Sequence, residues 1–189
     1  MPDSALATRY ALAQSLAAEA GALALDYFRH WDRLTIESKG PQDFVSEADR
    51  NVEAMVRARL AAAFPDDAIT GEEAAATPGS SGFTWVIDPI DGTTNFINGI
   101  PQWCVLLACV HQGRCVIGVV HDPVHDEMHH ACAGGGAFCN DRAIRCSAKT
   151  VMLAEAEICI KGVSTRNCRP GATARWARSN TSSSMRAGK

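Results

Sequence analysis

The hydrophobic period of this chain changes once, near Phe83, and that change decides its fold class. Before it, apolar residues recur at helical spacing. Over residues 4–30, Leu12, Leu16, Leu23 and Tyr27 fall within a stripe about 60° wide at 100° per residue, which predicts a helix. Residues 34–38 alternate like a strand. A second helix is predicted over 46–64, with Val52, Met55, Val56, Leu60 and Ala63 on one face and a stop before Pro65. Residues 79–82, rich in Gly and Ser, form a loop. From Phe83 to about Ile144 strand patterns dominate, over 105–110, 115–121 and 127–132, with turns at Gln112-Gly113 and Asp122-Pro123. Helices first and then a meander of strands make an α+β fold.

A chain of 189 residues can bury one good core and holds one domain or a little more. The longest apolar run, Trp103 to Val110, is too short to span a bilayer, and Met1-Pro2-Asp3-Ser4, without a basic stretch or an apolar run after it, leads to the expectation of no secretory signal. The eight cysteines lie between Cys104 and Cys168 without a C-x-x-C pair. Cys104, Cys109 and Cys115 sit in apolar strand-like segments, where free cysteine acts as a small buried hydrophobe; a reduced, cytoplasmic setting is expected. The net charge of −3 is uneven. Residues 1–164 carry 12 Lys and Arg against 21 Asp and Glu, whereas 165–189 carry six basic residues and no acid. The acidic body suits a cation site and argues against nucleic acid as the main partner.

Within that body, Trp85-Val86-Ile87-Asp88-Pro89-Ile90-Asp91-Gly92-Thr93-Thr94-Asn95-Phe96 sets two carboxylates at the end of an apolar run. The run reads as the end of a buried strand, and Pro89, which cannot donate to a ladder, is expected to end the pairing and turn the chain. Asp88 and Asp91 would then share one space, where their charges repel unless a cation lies between them. Oxygen-only ligands suit Mg²⁺ better than zinc. Gly92, Thr93 and Thr94 form a candidate helix start, whose free amides attract phosphate. A solvated Asp-Pro, Asp-Gly turn is the plain alternative.

Two further acids invite local explanations. Ser46-Glu47-Ala48-Asp49 matches a capping box, yet Asp49 also lies inside the apolar stripe of its helix, as functional carboxylates do. In Thr70-Gly71-Glu72-Glu73 a capping role falls to Glu73 and leaves Glu72 unexplained. The histidines and acids of residues 121–130 could hold a transition metal with Cys132 and Cys139, but a strand-turn-strand is the favoured reading. Gly134, Gly135 and Gly136 form a flexible turn and not a P-loop.

The order K-x-x-x-D-x-V-x-x-x-D from Lys39 through Asp43 to Asp49, then G-E-E at Gly71, then W-V-I-D-P-I-D-G-T-T-N-F, resembles the inositol monophosphatase family of Mg²⁺-dependent phosphatases. Gly118-Val119-Val120-His121-Asp122-Pro123 is similar to that family's central region. The resemblance covers about residues 5–165. It implies the N-terminal portion of a layered α/β/α/β/α sandwich, and hydrolysis of a small alcohol or sugar phosphate, myo-inositol monophosphate above all. It assigns Glu72, Asp88, the Ile90 carbonyl and Asp91 to Mg²⁺. Asp91, Gly92, Thr93 and Thr94 fall to the substrate phosphate, and Asp49, Thr93 and Glu72 to catalysis through an activated water. Lys39 and Asp43 match a mobile hairpin beside the site.

The family continues into a C-terminal α/β portion bearing a W-D motif, whose Asp completes a second metal site. No such motif follows here. Residues 1–165 are therefore read as an incomplete domain and 166–189 as an unmatched basic tail, too poor in apolar residues to build a core. Uncovered sheet and helix faces predict aggregation or a homodimer. The alternative function is a weak or inactive fragment that binds Mg²⁺ or a partner chain.

Overall fold

The structure, a computed structural model, describes residues 4–40, 43–145, 159–160 and 163–164, with 38–40, 43–45 and the last two pairs described by backbone alone. The chain divides into two units, Met1–Arg145 and Cys146–Lys189. In the second, Cys159–Ile160 (β10) and Val163–Ser164 (β11) pair antiparallel. The basic tail 166–189 lies outside the described residues.

Helix α1 runs from Ser4 to Phe28 and is followed by a 3₁₀ turn, Trp31–Arg33. Its buried face differs from the expected stripe. Ala13, Leu16, Ala17, Ala20, Gly21 and Ala24 are covered, while Leu12, Leu23 and Tyr27 only flank them. Small side chains win the centre because the helix lies close on the sheet. A Cβ on Gly21 would stand 2.4 Å from His121 Nδ1, and that same nitrogen is hydrogen-bonded to the Ala17 carbonyl at 3.0 Å.

Strand β1 (Ile36–Gly40) begins two residues later than the alternation suggests and pairs antiparallel with β2 (Asp43–Ser46), forming the hairpin that the resemblance implied. Helix α2 (Glu47–Ala63) starts at the expected Ser46 cap. Val52, Val56 and Leu60 are fully buried as predicted, but Ala63 is exposed, and Ala48, Asp49 and Glu53 complete the inner face instead.

Seven strands follow in sequential order: β3 (Ala68–Gly71), β4 (Phe83–Asp91), β5 (Cys104–His111), β6 (Arg114–Asp122), β7 (Glu127–Cys132), β8 (Gly136–Cys139) and β9 (Arg142–Ile144). Only β3 and β4 pair in parallel, so the sheet is mixed and the class is α+β. β3 has four residues, too few to show a period, and sequence patterning missed it. Helix α1 packs on β5 and β6, and α2 on β4 and α1. Alternate residues of the strands fill the core: Trp85 and Ile87 on β4, Val105, Leu107 and Cys109 on β5, Ile117 and Val119 on β6. A short helix α3 (Thr93–Ile97) follows β4.

Pro89 does not end the pairing. β4 continues to Asp91, with the register slipping between Asp88, opposite Leu106, and Asp91, opposite Cys104. Two residues on β4 then face one on β5. This is a bulge, a place where a strand accepts a residue without an N–H.

None of the five described cysteines is in a disulfide. Cys104 and Cys109 are buried, but Cys115 is exposed because it stands beside the Gln112-Gly113 turn rather than in mid-strand. Among the described residues no helix is long and apolar enough to cross a membrane.

Candidate metal and phosphate site

The bulge is what shapes the functional end of β4. It breaks the ladder between two acids, so Asp88 remains against the core while Asp91 reaches the exposed end of the strand. Asp88 Oδ1 is buried without a hydrogen-bond partner. Its carboxyl is pushed up to about 7, first by burial and then by the negative charges of Glu72, Asp91 and Asp49. A buried oxygen without a donor, in the field of three other carboxylates, is the situation a bound cation would relieve.

Asp49 fills the capping role weighed from sequence and also reaches Thr93. Its Oδ2 accepts the Ser46 amide at 2.9 Å and the Ser46 hydroxyl at 2.6 Å, as a capping residue does. Its Oδ1 stands 3.3 Å from Thr93 Oγ1. The side chain is almost fully buried, and burial raises its carboxyl above the usual range despite the Ser46 bonds that oppose the shift. Thr93 Oγ1 is also 3.0 Å from the Ile90 carbonyl. Asp49, Thr93 and Ile90 are thus brought together from α2, α3 and β4.

Gly92 begins α3 with φ +96°, the left-handed region, and a Cβ there would meet the Gln102 carbonyl at 3.1 Å. Glycine is needed both for the conformation and for the close approach. Thr93 and Thr94 open α3, where the first backbone amides of a helix have no intrahelical acceptor. Asn95 donates its side-chain N–H to the Gln102 carbonyl at 2.7 Å, fixing the loop beneath the turn. Cys104 Sγ lies 3.6 Å from Asp91 Oδ2.

Glu72 sits in an exposed bend after β3. No helix starts at Thr70, so the capping role expected of Glu73 is absent; the Glu73 amide instead donates to Glu53, at 2.8 Å. Among the described residues no three His, Cys, Asp or Glu side chains are set closely enough to hold a metal ion by themselves. Glu72, Asp88 and Asp91 therefore share an electrostatic pocket without forming a closed cage. Lys39 lies on β1 and Asp43 on β2; their side chains lie outside the described part.

In the 121–130 segment the favoured strand-turn-strand is what forms. His121 is buried against α1, His125 bonds Asp122 at 3.0 Å, and His130 pairs with Tyr10 and the Asn140 carbonyl. Sequence reasoning missed two buried acids, Glu53 and Asp67. Glu53 follows Asp49 by one turn on the same face, a position the reasoning applied to Asp49 would have flagged.

The model of the inositol monophosphatase family matches residues 5–187, a span that includes most of the segment set apart as a tail. A histidinol-phosphatase of Chlorobaculum parvum is 41% identical over 152 residues, covering 77% of this chain and 58% of its own. An inositol-1-monophosphatase of Rhizobium meliloti is 42% identical over 126 residues, 66% of this chain and 47% of its own. The crystal structure of the extragenic suppressor protein SuhB from Bartonella henselae superposes with a TM-score of 0.72 at 38% identity, covering 76% of this chain and 55% of that one. The chain spans about half the length of the curated relatives it matches. From the bulged D-P-I-D-G-T-T turn to the sheet that carries it, the chain belongs to the inositol monophosphatase family.

Proposed function

We propose that the chain is a Mg²⁺-dependent phosphomonoesterase acting on a small alcohol or sugar phosphate, with myo-inositol monophosphate as the first candidate. The observation that carries this reading is Asp88: a buried, unpartnered carboxylate oxygen in the field of Glu72, Asp91 and Asp49. The donor set is all oxygen, which fits a hard cation. Glu72, Asp88, the Ile90 carbonyl and Asp91 would hold Mg²⁺. When bound, it would neutralise phosphate charge and make a water more acidic. Family members solved with NADP and Ca²⁺, and with products, support the same reading.

The chain's own residues supply the rest. Asp49, anchored through one oxygen by Ser46, offers the other to Thr93, and together they orient the attacking water. Its raised basicity lets Asp49 accept a proton more readily than an exposed carboxylate. Asp91 and the amides of Gly92, Thr93 and Thr94 receive the phosphate.

Release of inorganic phosphate from myo-inositol 1-phosphate in Mg²⁺, lost in Asp91→Asn, is the expected result. Release from histidinol phosphate instead would change the substrate and keep the chemistry. No release from any sugar, histidinol or nucleotide phosphate would remove the reading. A second reading is favoured by the coverage of about half of each relative: a chain that binds Mg²⁺ or a partner chain without turnover. Calorimetry separates the two only together with the phosphate assay. Binding of one Mg²⁺, abolished in Glu72→Gln, without phosphate release would favour the second.

A further inference from the structure

Glu53 is a charged side chain with 1% of its surface exposed, and the chemistry proposed above makes no use of it. Its carboxylate is fully engaged. Oε1 accepts from Arg57 Nε at 2.7 Å and from the Ala74 amide at 3.1 Å, and Oε2 accepts from the Glu73 amide at 2.8 Å. Arg57 extends the same clamp by donating from Nη2 to the Ala74 carbonyl at 3.0 Å. A Cβ on Gly71 would fall 2.6 Å from the Glu53 carboxyl, so the glycine makes room for the acid.

An ordinary helix ion pair between Glu53 and Arg57 needs none of this. Such pairs lie in solvent and stabilise a helix by a few tenths of a kcal/mol. Here the acid is buried, and two of its three donors are backbone amides more than a turn of sequence away, in the bend that follows β3. That bend consists of Glu72, Glu73 and Ala74. We propose that Glu53 is a positioning residue: it ties the loop carrying Glu72 to the helix carrying Asp49, so that α2 aims both acids at one pocket. The importance of Glu72 in this statement rests on its reading as a cation ligand. The tie itself does not, because it is made of backbone amides.

Two measurements on the full chain test it. In metal-free protein, hydrogen exchange at the Glu73 and Ala74 amides is expected to be slow, and in Glu53→Gln at least one of the two is expected to quicken ~10-fold or more, because the glutamine oxygen can still accept from one amide but its NH₂ cannot accept from the other. In calorimetry with Mg²⁺ alone, Glu53→Gln is expected to weaken binding by about 10- to 100-fold, the usual loss when a group that orients a metal ligand is altered. Where Glu53→Gln fails to fold, Arg57→Lys keeps both charges and removes the two-nitrogen grip; it should weaken Mg²⁺ binding by a smaller factor. Unchanged exchange at the two amides would overturn the proposal. So would unchanged Mg²⁺ affinity in a folded Glu53→Gln protein when Glu72→Gln loses it. A wild-type chain that binds no Mg²⁺ would remove the metal reading and the claim on Glu72, while the exchange data would still decide the tie.

Discussion

Asp67, buried beside Trp85 of β4, and Asp88, on β4 with one carboxylate oxygen buried, have opposite surroundings. Asp67 receives Arg9 through two nitrogens, at 2.7 and 2.8 Å, the Ser81 hydroxyl at 2.6 Å and the Trp85 indole at 2.9 Å. Burial alone would raise its carboxyl, but these donors outweigh that and hold it below the usual range. Arg9 is itself enclosed, its guanidinium over the rings of Phe64 and Phe83 at 4.3 and 4.0 Å. Asp88 has acids where Asp67 has donors. One end of the strand is satisfied within the protein, and the other keeps an unmet demand for positive charge. The first is what a fold needs, and the second is what a ligand site needs.

The largest effect is expected from the satisfied end. Arg9→Met leaves the Asp67 carboxylate buried without its partner and should cost about 3–5 kcal/mol of unfolding free energy at pH 7. Urea denaturation would check it, and a loss under 1 kcal/mol would break the comparison. At the other end the sign reverses. The folded Asp88 carboxyl titrates near 7 and the unfolded one near its ordinary value. Between them the folded state holds a proton that the unfolded state has lost, so stability falls as pH rises through that window. In metal-free buffer Asp88→Asn should therefore be more stable than wild type by ~1–3 kcal/mol at pH 8, allowing for solvent screening. The difference should vanish toward pH 4. Melts at the two pH values would show it, and phosphate release should be lost in the same variant.

Gly92→Ala places a Cβ in left-handed backbone against the Gln102 carbonyl and should cost ~1–3 kcal/mol in thermal or urea unfolding. The smallest change is expected from Ser46→Ala, about 1 kcal/mol for a lost cap. Its sharper readout is the Asp49 carboxyl, which should rise further once the Ser46 hydroxyl no longer holds it down, as NMR titration would record.

Much of this contrast could be read from the chain and part of it could not. The D-P-I-D-G-T-T segment announced an acid pair and a glycine turn because its residue types have few other uses side by side. Asp49 was legible from a local pattern, the capping box, and from its place on an apolar stripe. Glu53 satisfied the second criterion as well, but its partners lie 20 and 21 residues further on, where no periodicity points. Arg9 and Asp67, separated by 58 residues, are invisible for the same reason. The inner face of α1 was misjudged because alanine and glycine carry little hydrophobic signal, while close approach to the sheet selects them. Pro89 was read as a terminator because a bulge depends on the neighbouring strand.

The sequential order of the strands has a kinetic consequence. From β4 to β9 each strand pairs antiparallel with the next in the chain, so each pairing closes only a short loop and costs little chain entropy. The acids of the site come from three places: Asp49 from α2, Glu72 from the bend after β3, Asp88 from β4 itself. They meet only when β3 is laid alongside β4 in parallel and α2 docks on β4, a closure that spans a larger stretch of chain. Short-range pairings can zip the meander, but the pocket is complete only when both of these closures are made. Recovery of Mg²⁺ binding during refolding should therefore lag behind recovery of strand signal.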